Sequence, residues 1–232
     1  MYIFEQNIYP IKLIFPYLSV LLAALTVAFF LFHRNRLSKF NLVGFYLIYS
    51  ILTDILISPA SLLFFNNEFW GARLFTIIEF ILISKFIYDN TQFKSKKLIF
   101  IIFSILFAGF FLIEMSLMNQ SNFDSLTTGF SSLVLIIFSM IFLYGKITQS
   151  HQEFEIDGVF LLISSLIIYF SGTFFIYIYS SNYLNKPEFK ELYNFINSII
   201  LITRNLIIIT AFLRYSKYEL KTSFIKDKYQ YQ

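Results

Sequence analysis

The sequence predicts an all-α, polytopic membrane protein of seven transmembrane helices, with its N-terminus outside and its C-terminus inside. Three observations lead there. Of 232 residues, 57% are hydrophobic and only 14% are charged, against roughly 25% charged in a soluble domain. Seven stretches are apolar over about 20 residues, enough to carry a helix across about 30 Å of hydrocarbon. Threaded in that way, the chain gathers its basic residues on one side, as the positive-inside rule requires.

The first span, 13–32, has no charged residue, no basic stretch before it and no small-residue cleavage site after it. It therefore reads as an anchor and not as a cleaved signal peptide. The second, 42–65, contains Asp54 and is interrupted by Pro59. The third, 70–88, contains Glu79 and Lys85; without it, basic loops would fall on both faces of the membrane. The fourth, 98–118, is apolar apart from Ser104, Glu114 and Ser116 and is expected to face lipid. The fifth and sixth, 127–144 and 158–179, carry no charge, and the seventh, 193–213, carries Arg204.

With the N-terminus outside, twelve of the 18 Lys and Arg residues lie at inner ends and four at outer ends, counting Arg73 at the start of the third span, while Lys85 and Arg204 lie further within spans. All connections are short. The expected organisation is one seven-helix domain, 1–213, followed by a basic cytoplasmic tail, 214–232. Topology accounts for the net charge of +4, so the expected partner is the lipid bilayer and no nucleic acid is implied; the tail is also suited to contact with anionic lipid. The absence of Cys excludes disulfides, thiolate metal sites and cysteine nucleophiles. The 32 Phe and 16 Tyr accompany high Ile, Asn and Lys, a pattern of AT-rich coding that by itself points to no cofactor.

Ionisable groups at mid-depth are the sharpest signal, since each costs about 2.5–3.5 kcal/mol on insertion scales unless it is paired or hydrated. Lys85 and Glu114 sit near span ends and can reach the interface. Asp54, Glu79 and Arg204 sit at span centres and are expected to face inward and meet. Two carboxylates against one guanidinium leave excess negative charge, which a bound proton or a cationic ligand would relieve. On the second span Ser50, Asp54, Ser58 and Ser61 recur at intervals of four, four and three, which places them on one helical face. Pro59 frees a carbonyl beside Asp54 and is the candidate hinge. Asn197 shares a face with Arg204, and Tyr169 adds a polar group from the sixth span.

Residues 45–50 can be laid on 160–165 and residues 74–88 on 199–213, which sets Asp54 opposite Tyr169 and Glu79 opposite Arg204. The fourth span then links two parallel three-helix units, an arrangement that puts a binding site at the midplane.

The runs Thr76-Ile77-Ile78-Glu79-Phe80, Tyr169-Phe170-Ser171-Gly172-Thr173-Phe174, and Ile196-Asn197 through Arg204-Asn205 resemble a group of small seven-helix bacterial inner-membrane proteins without an assigned activity. The resemblance implies a multi-pass protein of the cell inner membrane working beside a sensor kinase.

Together these features predict a non-enzymatic, receptor-like signalling component. Its midplane pocket, built from Asp54, Glu79, Arg204, Asn197, Tyr169, Ser50 and Ser58, would bind a small ligand or a proton. A small proton-coupled transporter is the alternative, and an intramembrane lipid-modifying enzyme a weaker one, since no nucleophile is paired with a base. No metal or cofactor is expected: both His residues, His33 and His151, fall in loops. Retinal chemistry would need a lysine at mid-depth of the last span, where Arg204 stands.

Overall fold

A computed structural model describes residues 2–53, 69–91, 96–117, 125–149, 157–183 and 187–230. Among these residues there are seven α-helices and no strand. They are α1 (Tyr2–Phe32), α2 (Asn41–Leu52), α3 (Phe69–Asn90), α4 (Lys96–Leu117), α5 (Ser125–Gln149), α6 (Gly158–Tyr183) and α7 (Pro187–Gln230), with a 3₁₀ turn at Ser38–Phe40 before α2. Such a pattern is compatible with a bilayer, where every backbone N–H and C=O must be satisfied within its own segment, which a helix achieves.

Among the described residues, five stretches are long and apolar enough to cross a membrane: Ile14–Phe32, Lys96–Ser116, Leu126–Thr148, Gly158–Ile178 and Glu191–Tyr218. The α3 helix has 22 residues but carries Arg73, Glu79, Lys85 and Asp89, and α2 is described over twelve residues. Asp54, Ser58, Pro59 and Ser61 lie outside the described residues. The expected tail is helical as far as Gln230, continuing α7 to 44 residues, or about 66 Å.

Helix ends are closed by specific groups. At the end of α3 the Lys96 ammonium donates to the carbonyls of Tyr88 (3.1 Å) and Thr91 (2.5 Å), placing a cation where helix carbonyls point. Before α6, the Asp157 carboxylate accepts the Phe160 N–H at 2.7 Å and pairs with Lys146 at 2.9 Å, an N-cap combined with an ion pair. Glu114 departs from the expectation that it reaches the headgroups. It is buried, and its Oε2 accepts the Thr127 N–H at 2.7 Å. A carboxylate is well placed there because the first turn of α5 presents unsatisfied donors.

The helices pack as a closed ring in the order α1, α2, α3, α5, α6, α7 and back to α1, with α4 against α3 and α5. Phe80 on Phe107 and Tyr88 on Phe100 make α3 and α4 antiparallel. Phe100 on Phe138 and Phe110 on Phe130 do the same for α4 and α5, so α3 and α5 are parallel neighbours. The α1 and α7 helices are parallel as well, since Phe15 meets Phe195 and Phe30 meets Phe212. As its composition predicts, α4 lies outside the ring with Ile102, Ile105, Leu112 and Ile113 exposed.

Small residues set the closest approaches, as is usual where van der Waals packing drives helix association. A Cβ at Gly158 would come within 2.7 Å of the Ala211 carbonyl oxygen and 2.8 Å of the Tyr215 Cβ, so only glycine lets α6 and α7 meet there. At Gly172 the corresponding neighbour is the end of the Ile200 side chain, which can move.

Candidate functional site

The centre of the ring holds a polar network contributed by four helices: Tyr46 from α2, Glu79 from α3, Tyr169 from α6, and Arg204 with Asn205 from α7. Glu79 is 5% exposed and Arg204 2%, and both tyrosines are buried. Antiparallel packing brings these positions to one level: Gly158 lies against Ala211 and Gly172 against Ile200, which leaves Tyr169 facing the turn of α7 that bears Arg204.

The hydrogen bonds form a directed chain. Arg204 Nη1 donates to the Tyr46 hydroxyl at 2.6 Å, and that hydroxyl donates to Glu79 Oε1 at 2.8 Å. Arginine can only donate, so the Tyr46 hydroxyl accepts on one side and turns its proton to the carboxylate. The guanidinium carbon also stands 4.7 Å from the Tyr169 ring centroid and 5.5 Å from that of Tyr46, within cation–π range of two rings. Tyr169 interacts electrostatically with both Glu79 and Tyr46. Asn205 Oδ1 lies 3.5 Å from Arg204 Nη2, a weak bond by length. Asn205 Nδ2 is buried with no hydrogen-bond partner among the described residues.

Chemically, the described part of the network is one carboxyl group and one cation bridged by a phenol. Its exchangeable protons are those of the Glu79 carboxyl and the two phenols, because a guanidinium keeps its own. Protonation of Glu79 would remove the negative partner from a buried guanidinium, so the charge state of this residue bears directly on how α2 and α3 pack against α6 and α7.

Of the residues singled out in the sequence, Glu79, Arg204 and Tyr169 come together. Asn197 is half-buried and lies seven residues from Arg204, about 10 Å along the helix axis. Ser50 is half-buried one turn beyond Tyr46. Tyr46 itself was not singled out, although Tyr46, Ser50 and Asp54 recur every four residues and extend the serine stripe back by one turn. A second polar group, around Glu114, Thr127 and the Thr76–Thr128 contact of 3.4 Å, ties α3, α4 and α5 together. Arg73, counted with the outer rim in the sequence, is buried in α3.

Comparison with protein-family models, with curated proteins and with solved structures gave no match.

Proposed function

We propose that this chain is a seven-span, multi-pass protein of the inner membrane, N-terminus outside and C-terminus inside, and that it is a receptor-like signalling component rather than an enzyme. The observation that carries this reading is the Arg204–Tyr46–Glu79 chain, which is buried and links helices from the two halves of the sequence. A proton on Glu79, or a small ligand taken up beside Asn205, would change the attraction between α2–α3 and α6–α7. The inner rims of those helices would then report the change to a partner such as a sensor kinase.

Neighbour order favours a second reading. The contacts α1–α2, α2–α3 and α1–α7 have counterparts in α5–α6, α6–α7 and α5–α3, the pairing that a parallel three-plus-one-plus-three repeat produces. Glu79 and Arg204, opposite each other in that alignment, belong to one network. This neighbour order supports a small proton-coupled carrier with its site between repeats.

Purified protein in liposomes loaded with a pH-sensitive dye separates the two. A carrier moves protons under an imposed gradient, and Glu79→Gln abolishes the flux. A receptor gives no flux above the Glu79→Gln level, while crosslinking between inner-rim positions changes with bulk pH in the wild type and not in the variant. Crosslinking that ignores pH in both proteins, with no flux, would overturn the carrier and the proton-sensing form of the receptor alike.

A further inference from the structure

Between α3 and the peripheral helix α4 lies a cleft of about 570 Å³, and an adjoining groove of about 460 Å³ shares Tyr88, Phe100, Ser104 and Ala108 with it. The geometry points to a binding site for one anionic glycerophospholipid of the inner leaflet, acyl chain in the cleft and headgroup beside Lys85, Lys96 and Lys97, where α3 ends and α4 begins. This inference uses the orientation proposed above but not the chemistry of the central network.

The walls are graded in polarity along their length as such a lipid is. From Ile77 and Leu112 through Phe80, Ile81 and Phe107 the lining is apolar, and the whole α3 wall, polar end included, runs about 16 Å from Ile77 to Tyr88. Ile81 and Leu112 are exposed at its edges, so a chain can enter from the side. Ser84 and Ser104 come next, one from each wall. The Ser84 hydroxyl donates to the Ile81 carbonyl at 3.3 Å, a long bond that a lipid ester carbonyl can compete for, and the Ser104 hydroxyl lies across from it.

Where α3 ends and α4 begins, two ammonium groups stand over one ring and a third lysine shares its groove. Lys85 Nζ is 5.5 Å and Lys96 Nζ 4.7 Å from the Tyr88 centroid, and Lys97 lines the adjoining groove beside the same tyrosine. The acid facing them among the described residues is Asp89, bound to Lys85 at 2.7 Å. Lys96 is engaged with backbone carbonyls, which leave its charge unneutralised. Three cations against one anion make the end of the cleft basic. A basic notch between helices at the cytoplasmic interface is the chemistry that holds an anionic headgroup, and a zwitterionic lipid would forgo that attraction. The inner wall includes Phe80, adjacent to Glu79, so an occupied cleft would press on the helix that carries the buried carboxylate.

Native mass spectrometry of the full chain in micelles tests the site, with phosphatidylglycerol and phosphatidylcholine of identical acyl chains as probes. The expected result is phosphatidylglycerol adducts several-fold more abundant than phosphatidylcholine adducts, equalised in Lys85→Gln/Lys97→Gln. Ala108→Trp, which fills the cleft, should lower both adducts; if it fails to fold by circular dichroism, Ile81→Trp replaces it. Glycerol 3-phosphate should displace neither lipid. Equal adducts in the wild type, a preference that survives the double substitution, or displacement by glycerol phosphate alone would each overturn the proposal. Labelling of an Asn90→Cys variant by an impermeant maleimide reports the side of this helix end separately, so a wrong orientation is distinguishable from an absent lipid site.

Discussion

The centre of the ring and its rims use the same charged side chains to different ends. At the rims, Lys85 pairs with Asp89 at 2.7 Å and Lys146 with Asp157 at 2.9 Å, and all four side chains are more than a third exposed. At the centre, Arg204 reaches Glu79 through a phenol, with all three groups buried. Exposed pairs trade water for each other at little net gain, typically 0–1 kcal/mol. A buried group has no water to return to, so removing its partner leaves an uncompensated charge. The rims can lose a charge and keep their shape, whereas the centre changes state.

The largest effect should come from Arg204→Leu, which strands Glu79 and is expected to cost about 3–5 kcal/mol in denaturant unfolding from micelles. Adding Glu79→Gln to that variant should restore a good part of the loss. A cost no greater than that of a rim pair would break the contrast. Next comes Tyr46→Phe, which removes the bridging hydroxyl while keeping the ring; about 1–3 kcal/mol is expected, with a larger loss than for Tyr169→Phe in the same assay.

Glu114→Ala sharpens the comparison, since this carboxylate is buried like the centre yet acts on a helix end. A loss of about 1–2 kcal/mol is expected, together with faster amide exchange in the first turn of α5. Asp157→Ala should cost about 1 kcal/mol through the lost cap, and Lys146→Ala less, because it removes only the exposed pair. The smallest effect is expected of Lys85→Ala, about 0.5 kcal/mol or less for an i, i+4 pair, as a shift in thermal unfolding close to the error of measurement.

The parts legible in the chain and the parts that were not divide along physical lines. Glu79 and Arg204 stood out because a charge in the middle of an apolar run must find a partner inside. Tyr46 did not, being one of 16 tyrosines with nothing local to mark the one that bridges them. Its place in a four-residue polar stripe was the available signal. Glu114 read as a group able to reach headgroups, since distance to the span end is all a sequence offers; the α5 N-terminus folding back beside it makes it a cap instead. Asn197 shares a helix face with Arg204 but lies too far along the axis to join the network, a reminder that a common face is not a common depth.

Composition and hydropathy alone determined that the chain is helical and apolar enough for a bilayer, and that Glu79 and Arg204 need partners inside it, because both follow from local transfer free energies. The tertiary structure decided which helices are neighbours, that α4 stands outside a six-helix ring, that a phenol joins Arg204 to Glu79, and that a basic-ended cleft opens beside Tyr88. Those depend on side chains far apart in sequence meeting at contact distance, as Gly158 does with Ala211, and no single segment carries that information.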